Sequence, residues 1–282
     1  MPRVRTLAQL RAAVVRFRGR GETIAFVPTM GALHEGHLSL VRLARRSADR
    51  VVVSIFVNPL QFAPGEDLSR YPRPVARDRA LLAREGVDLL WEPAVVDIYP
   101  PGDLTRVHVA GLSDVLEGAS RPGHYTGVCT VVVRLLNAVR PDETWLGQKD
   151  AQQALILERM CTDLLVPVRL RRGPTVREDD GLAMSSRNAY LSHAERQQAV
   201  ALSQGLAAAW MLMRGGERNA QRLTSAIRRE WDGYPLVRED YIAVVDPQTL
   251  EPLKRVRGAA LVAVAAHLGP ARLIDNFPWR GR

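Results

Sequence analysis

Apolar runs of strand length alternate with amphipathic segments of helical length over the first two thirds of the chain. The clearest run, residues 51–57, is β-branched and apolar on both faces, which is typical of a central strand in a parallel sheet. The same patterns predict strands at 24–27, 88–91, 143–147 and 166–170, and helices at 7–18, 75–85, 127–139 and 151–164. Strands and helices in this order form βαβ units, so we predict an α/β fold with a Rossmann-like, doubly wound parallel sheet.

The pattern changes after the Gly-Pro pair at residues 173–174. Helical periodicity dominates residues 193–214 and 220–231, and apolar strands follow at 241–245 and 259–266. We therefore predict two domains. Residues 1–173 form the Rossmann-like domain, and residues 174–282 form a smaller α+β domain that acts as a lid.

The charge balance admits nucleic acid as a partner but does not favour it. The 282 residues carry 39 basic and 30 acidic side chains, a net charge of +9. These basic residues are scattered and almost all are arginine, without a basic block that contains aromatics. We therefore expect small anionic substrates and no nucleic-acid partner. We also expect no membrane partner, because no apolar run is long enough to span a bilayer.

The two cysteines, Cys129 and Cys161, lie in apolar segments and are predicted to be buried thiols. The N-terminus lacks the apolar core of a signal peptide. Together these features predict a cytoplasmic protein.

Residues 24–38 combine three features of an anion site. A short apolar strand is followed by a turn with Gly31 and by the start of a helix, where backbone N–H groups and the helix dipole favour negative charge. His34 and His37 add side-chain donors at the same place. Their spacing of three residues does not match the i, i+4 spacing of HExxH zinc sites, so we predict a nucleotide-phosphate site.

The turn at residues 147–150, Gly-Gln-Lys-Asp, is the second candidate phosphate site. If the strands at 24–27 and 143–147 are neighbours at the reversal point of the sheet, the turns after both strands open onto one crevice. Lys149 is one of two lysines in an arginine-rich chain, which makes its position in this turn notable.

Several motifs resemble those of known proteins. His-Glu-Gly-His at residues 34–37 resembles the HxGH signature of the nucleotidylyltransferase superfamily, and residues 27–37 as a whole resemble the pantoate–β-alanine ligase (pantothenate synthetase) family. Further strings resemble that family in the same order: Phe-Val-Asn-Pro-Leu-Gln-Phe at 56–62, Arg-Pro-Gly-His at 121–124, the turn at 147–150, Met-Ser-Ser-Arg at 184–187, and residues 271–276. Gln148 and Tyr125 depart from the usual family pattern, which has glutamate and phenylalanine there.

The resemblance implies an ATP-dependent ligase that condenses pantoate with β-alanine through a pantoyl adenylate, with Mg²⁺ required and a homodimer formed through the larger domain. It assigns catalysis to His37, His34, Lys149 and Arg187. It assigns ATP binding to Met30, Gly31, His34, His37, Gly147, Lys149, Asp150, Val176, Met184, Ser185, Ser186 and Arg187. It assigns substrate binding to Asn58, Gln61, Arg121, His124 and Gln153. Asp78 is the candidate magnesium ligand, and His37 is the candidate proton donor.

Two other functions remain open at this point. A cytidylyl- or adenylyltransferase of the same superfamily would retain the nucleotide in its product. A synthetase-like protein that binds tRNA is permitted by the high pI, although the chain lacks a clustered basic face and an extension of anticodon-domain length.

Overall fold

The computed structural model describes residues 1–63, 66 and 68–281. Within these residues, six strands form one parallel sheet, ordered β1-β4-β3-β2-β5-β6. The strands are β1 (Arg3–Val4), β2 (Ile24–Thr29), β3 (Arg50–Ile55), β4 (Leu89–Trp91), β5 (Glu143–Gly147) and β6 (Arg169–Gly173). This architecture confirms the predicted Rossmann-like α/β fold.

The topological switch point of the sheet lies between the neighbouring strands β2 and β5. Strand β2 pairs with β3 on one side and with β5 on the other, where Phe26 is opposite Thr144. The predicted adjacency of these two strands is therefore confirmed. Because both strands are parallel, the turns that follow them begin at the same edge of the sheet, where ligands bind in folds of this type.

Helices cover both faces of the sheet. They are α1 (Leu7–Arg18), α2 (Glu35–Ser47), α3 (Val75–Arg84), the single turns α4 (Val95–Ile98) and α5 (Glu117–Ser120), α6 (His124–Val139) and α7 (Ala151–Asp163). Alternate residues of β2 point to opposite faces: Phe26 joins a core with α1, α6 and α7, whereas Val27 joins a core with α2 and α3. Burial on both faces explains the continuous apolar runs.

The remainder of the chain contains a three-stranded antiparallel sheet with helices, within the described residues. The strands are β7 (Arg238–Val245), β8 (Ala260–Leu268) and β9 (Ala271–Trp279), in that order in the sheet. The helices are α8 (His193–Gln198), α9 (Ala201–Arg214) and α10 (Ala220–Trp231). Helices α9 and α10 bury one apolar face each, and Leu206, Ile227 and Val262 belong to one core.

The chain forms two compact units. The first comprises Met1–Asp114, Arg121–Gln148 and Gln152–Pro174, and the second comprises Val115–Ser120, Lys149–Ala151 and Thr175–Arg282. Two short segments of the predicted first domain, Val115–Ser120 and Lys149–Ala151, thus belong to the second unit. The predicted boundary at residues 173–174 concerns independently folding domains and stays a prediction.

The structure differs from the sequence predictions at several places. The last parallel strand, predicted at residues 166–170, lies at Arg169–Gly173, because an edge strand tolerates exposed arginines that interrupt an apolar pattern. The predicted helix at 193–214 is divided into α8 and α9. Strand β1, two residues long, was not predicted, because so short a segment carries no periodicity.

Candidate active site

The turn after β2 is held by a buried carboxylate. Gly31 and Ala32 both adopt left-handed backbone conformations, with φ of 81° and 50°. Asp78, in the first turn of α3, is 1% exposed. It accepts hydrogen bonds from the backbone N–H groups of Ala32 (2.8 Å) and Leu33 (2.9 Å). Asp78 therefore maintains the turn that precedes the two histidines.

Both histidines of the motif use Nδ1 to accept backbone hydrogen bonds at the start of α2. His34 is the N-cap residue, and its Nδ1 accepts from the N–H of Gly36 at 3.2 Å. The Nδ1 of His37 accepts a longer bond of 3.4 Å from the N–H of His34. In the neutral rings the proton is therefore on Nε2 of each histidine, which makes Nε2 the donor atom.

The glycine between the histidines is required by this arrangement. A Cβ atom at Gly36 would lie 2.9 Å from two ring atoms of His34. The two imidazole centroids are 4.1 Å apart, so the rings act as one paired unit at the N-terminus of α2. A helix N-terminus with two N–H donors suits a phosphate group.

The described residues do not form a metal site built from protein ligands. Within residues 1–63, 66 and 68–281, no three side chains among histidine, cysteine, aspartate and glutamate could together hold an ion. Both oxygens of Asp78 already accept backbone N–H groups. Mg²⁺ commonly needs only one or two carboxylates when phosphate oxygens supply other ligands. These residues thus fit a cation carried by a polyphosphate better than a resident metal.

The side-chain amide of Gln61 is oriented by a buried network. Tyr99 donates its hydroxyl hydrogen to Oδ1 of Asn58 at 2.7 Å, and burial raises the pKa of Tyr99 to about 12 and keeps it protonated. Because Oδ1 of Asn58 accepts, its Nδ2 donates, to Oε1 of Gln61 (2.9 Å) and to the carbonyl of Gly127 (3.0 Å). The Nε2 group of Gln61 is therefore the donor side of its amide.

The backbone carbonyl of Gln61 is held by the Arg-Pro-Gly-His motif. Nδ1 of His124 donates to this oxygen at 2.9 Å, and Nη2 of Arg121 donates to it at 3.1 Å. Arg121 also donates to both carboxylate oxygens of Glu66, at 2.9 and 2.6 Å. Burial acts to raise the pKa of Glu66, but the hydrogen bonds and charge of Arg121 outweigh it and lower the pKa.

Two residues of this region were not identified from the sequence. Tyr99 and Glu66 lie outside the motifs, and each acts through a partner distant along the chain, 41 residues from Asn58 for Tyr99 and 55 residues from Arg121 for Glu66. No local pattern marks such residues. Their roles emerge only from the hydrogen bonds.

Strand β5 ends at Gly147, beside Gly173 of β6, and α7 begins four residues later. Gln153 lies in the first turn of α7 and is half-buried. Its neighbour Gln152 is buried and donates to the carbonyl of Leu112 at 2.9 Å.

The first unit contains ten of the predicted ATP- and substrate-site residues and the candidate metal ligand: Met30, Gly31, His34, His37, Asn58, Gln61, Arg121, His124, Gly147 and Gln153, with Asp78.

The second unit contains the other predicted residues: Lys149, Asp150, Val176, Met184, Ser185, Ser186 and Arg187. Nζ of Lys149 is 3.9 Å from Oδ1 of Asp150, and the lysine side chain is 20% exposed. Ser185 is the N-cap of a 3₁₀ turn, Ser186–Tyr190, and its Oγ accepts from the N–H of Arg187 at 3.2 Å. The Met-Ser-Ser-Arg string at residues 184–187, called the serine motif below, therefore leads into a capped turn.

Cys129 and Cys161 are buried and free, as predicted. Burial raises the pKa of Cys129 to about 12 and that of Cys161 to about 11. Thiols of this kind are poor nucleophiles, because the thiolate is the reactive form. Neither cysteine is therefore suited to form a covalent intermediate.

We expect both thiols to be unreactive in the folded protein at pH 8. The aromatic disulfide reagent DTNB should release little chromophore from the native protein and about two equivalents per chain in denaturant, because unfolding removes the burial that suppresses the thiolate. The unfolded protein in the same buffer is the control. Rapid native reaction at either cysteine would contradict the expected burial.

The described residues contain no helix that is both long and apolar enough to cross a bilayer. The chain is similar to known proteins in both sequence and fold. A family model described as pantoate-β-alanine ligase matches residues 3–278. A pantothenate synthetase of Moorella thermoacetica is 50% identical over 276 residues, 98% of each chain. One from Thermotoga petrophila is 51% identical over 273 residues, 97% of this chain and 98% of the relative.

Solved structures agree with the sequence matches. A crystal structure of pantothenate synthetase from Thermus thermophilus superposes with a TM-score of 0.94 at 49% identity, covering 98% of this chain and 99% of that one. A pantoate-β-alanine ligase from Francisella tularensis, complexed with β-γ ATP and β-alanine, gives a TM-score of 0.79 at 34% identity, covering 98% and 97% of the two chains. With a match of this extent in sequence and in fold, the chain belongs to the pantoate-β-alanine ligase family.

Proposed function

We propose that this protein condenses (R)-pantoate with β-alanine, uses ATP, and releases AMP and pyrophosphate. The observation that carries the proposal is the pair of histidines at the N-terminus of α2, at the carboxyl end of β2 beside β5. This is the place in the sheet where an α/β protein binds nucleotide phosphates. Family membership and the Francisella relative, which was crystallised with β-γ ATP and β-alanine, support the same reaction.

In the first step, a carboxylate oxygen of pantoate attacks the α-phosphorus of ATP. A new P–O bond forms to the acyl group, and the bond from the α-phosphorus to the bridging oxygen breaks, so that pyrophosphate leaves. Negative charge accumulates on the phosphate oxygens, and preorganised donors lower the barrier. We assign this role to the Nε2–H groups of His34 and His37 and to the backbone N–H groups at the start of α2.

The second unit supplies further groups for the nucleotide. We assign charge neutralisation on the phosphates to Lys149 and Arg187, since an ammonium and a guanidinium are the usual phosphate partners. The hydroxyls of the serine motif are proposed to donate to the same phosphates. The remaining residues of the proposed nucleotide site, with Val176 at the adenine, are Met30, Gly31, Gly147, Asp150, Val176, Met184, Ser185 and Ser186. We propose that this unit acts as the lid.

Pantoate is proposed to bind beside Gln61. The Nε2–H of Gln61 is a donor suited to a carboxylate or hydroxyl oxygen, and Asn58 holds it in that orientation. Gln153 is proposed as a second contact to pantoate. Arg121 and His124 are proposed to act through the Gln61 carbonyl that both contact, in addition to adding positive potential near the substrate.

In the second step, the free amine of β-alanine attacks the acyl carbon of the adenylate. The C–N bond forms, the bond from the acyl carbon to the phosphate oxygen breaks, AMP leaves, and the nitrogen loses a proton. Holding the two reactants together supplies most of the required acceleration. The high pKa values of Cys129 and Cys161 support direct attack without a covalent enzyme intermediate.

Mg²⁺ is proposed to enter as the ATP complex, with phosphate oxygens as its main ligands and no step assigned to a resident ion. Asp78 is the nearest sequence candidate for a protein ligand, but we assign it to the turn at residues 31–33 because both of its oxygens are engaged there. We further propose a homodimer, assembled through the larger unit, and a cytoplasmic location.

Isotope exchange tests the reaction. Labelled pyrophosphate should exchange into ATP when pantoate is present and β-alanine is absent, because the adenylate forms reversibly. Exchange should be lost when pantoate is omitted or replaced by β-alanine. No pantoate-dependent exchange would rule out the proposed ligase. A stable product that retains the nucleotide would favour a nucleotidylyltransferase, and tight, salt-sensitive tRNA binding would favour the synthetase-like alternative.

A further inference from the structure

Two neighbouring polar residues on β9 are buried, and the proposed reaction assigns them no role. Asp275 is 2% exposed and Asn276 is 5% exposed. They pair with Val264 and Ala263 of the apolar strand β8. Buried polar side chains persist only where specific hydrogen bonds compensate for the lost water. Their partners therefore indicate what the pair does.

Asn276 holds the backbone of Lys149. Its Nδ2 donates to the carbonyl oxygen of Lys149 at 2.8 Å. The two residues are 127 positions apart in the sequence, and both belong to the second unit. A carbonyl can only accept, so the contact also defines the orientation of the asparagine amide. It keeps the turn that carries the ammonium group against the β7-β8-β9 sheet.

Asp275 holds a different segment of the same unit. Its carboxylate forms a bidentate ion pair with Arg177, in which Nη1 donates to Oδ2 at 2.6 Å and Nη2 donates to Oδ1 at 3.1 Å. Nη1 of Arg177 also donates to the carbonyl of Gly181 at 2.9 Å. The backbone N–H of Asn276 donates to Oδ1 of Asp275 at 2.8 Å, which links the two anchors.

The segment bound by Asp275 leads directly into the serine motif. Arg177 and Ala183 form an antiparallel bridge, and the N–H of Met184 donates to the carbonyl of Val176 at 3.0 Å. This hairpin, residues 176–184, carries two residues of the proposed nucleotide site. Nδ2 of Asn188 donates to the carbonyl of Ala183 at 3.2 Å and so connects the 3₁₀ turn to the hairpin.

We propose that Asp275 and Asn276 are positioning residues for the nucleotide: Asn276 sets the position of the Lys149 turn, and Asp275 sets the position of the hairpin at residues 176–184. The inference rests on the proposed function, in which both segments bind ATP. Fixing two segments to adjacent residues of one strand sets the spacing between the lysine and the serine motif. Neither residue needs to touch the substrate.

The test is Asn276→Asp, which keeps the shape of the side chain and replaces the Nδ2 donor with an oxygen that repels the Lys149 carbonyl. In the pyrophosphate-exchange assay, we expect the KM for ATP to rise about tenfold or more, the usual scale for a lost buried hydrogen bond and a new repulsion. The KM for pantoate should change less than about twofold, because the proposed pantoate residues belong to the other unit.

Asn219→Asp is the matched control. It adds the same charge within the same unit, at the N-cap of α10, where aspartate caps as well as asparagine does. It should leave both KM values unchanged. If Asn276→Asp does not fold, Asn276→Ala removes the donor without adding charge, and the same increase in the KM for ATP is expected.

An unchanged KM for ATP in a folded Asn276 variant would overturn the inference, as would equal increases in both KM values. Absence of pantoate-dependent exchange in the wild-type protein would instead contradict the proposed function. A failure of the inference is therefore distinguishable from a failure of the proposed function. Asp275→Asn should also raise the KM for ATP, and its combination with Arg177→Gln should be no worse than the more impaired single variant, because both act through one ion pair. Additive effects of the two substitutions on the KM for ATP would contradict the role of Asp275 in positioning the hairpin.

Discussion

Replacing His37 with alanine is expected to slow pantoyl-adenylate formation by about 100- to 10,000-fold, the range found when a catalytic donor is removed. The imidazole is paired with His34 at a centroid distance of 4.1 Å, and its Nε2 is the proposed donor to the phosphate oxygens. The rate of pantoate-dependent pyrophosphate exchange measures the effect. Folding should be preserved, since the backbone hydrogen bond that Nδ1 accepts is a long one of 3.4 Å.

Two variants sharpen this prediction. His267→Ala alters an exposed histidine on β8 and should keep normal exchange. His37→Gln retains an N–H near the position of Nε2 but cannot transfer a proton. Recovery of activity in the glutamine variant would identify a hydrogen-bond donor, and no recovery would identify a proton donor. Near-normal exchange by a folded His37→Ala protein would show that the donor has been assigned to the wrong residue.

Gly127→Ala is expected to destabilise the protein and to impair pantoate binding. The added Cβ would lie 2.1 Å from the carbonyl oxygen of Leu60 and 2.9 Å from the backbone nitrogen of Gln61. Backbone atoms cannot move aside as a flexible side chain can. Overpacking of this kind costs about 1–3 kcal/mol, so we expect a loss of unfolding free energy at the upper end of that range or beyond.

The same change should raise the KM for pantoate by about tenfold or more, because the contact of Asn58 with the Gly127 carbonyl helps to orient Gln61. Urea denaturation and exchange kinetics measure the two effects. Gly258→Ala is the control: apart from its chain neighbours, no atom of the described residues lies within 4 Å of its added Cβ, and its backbone is not left-handed, so its stability should change by less than about 0.5 kcal/mol. Similar behaviour of the two alanine variants would contradict the role of the close contact at Gly127.

Much of the first unit was predictable from local pattern. Strands β2 and β3 are apolar and rich in β-branched residues, and helices of the expected length follow them, so the rules for α/β sheets predicted the adjacency of β2 and β5. Strand β9 was not predicted, because Arg272, Asp275 and Pro278 interrupt its apolar residues. Asp275 and Arg272 both form ion pairs in the folded chain, which compensates for their burial.

The sequence by itself determined the fold class, the turn with two histidines and a glycine, and the family, because these depend on residues close together along the chain. Only the tertiary structure decided which groups those residues present. In the folded chain the carboxylate of Asp78 accepts hydrogen bonds from the backbone of residues 32 and 33. Asn58 orients the amide of Gln61 so that Nε2 is its donor, and Asn276 donates to the carbonyl of Lys149. Hydrogen bonds between distant residues have no local pattern, since they form only after the core has brought their elements together.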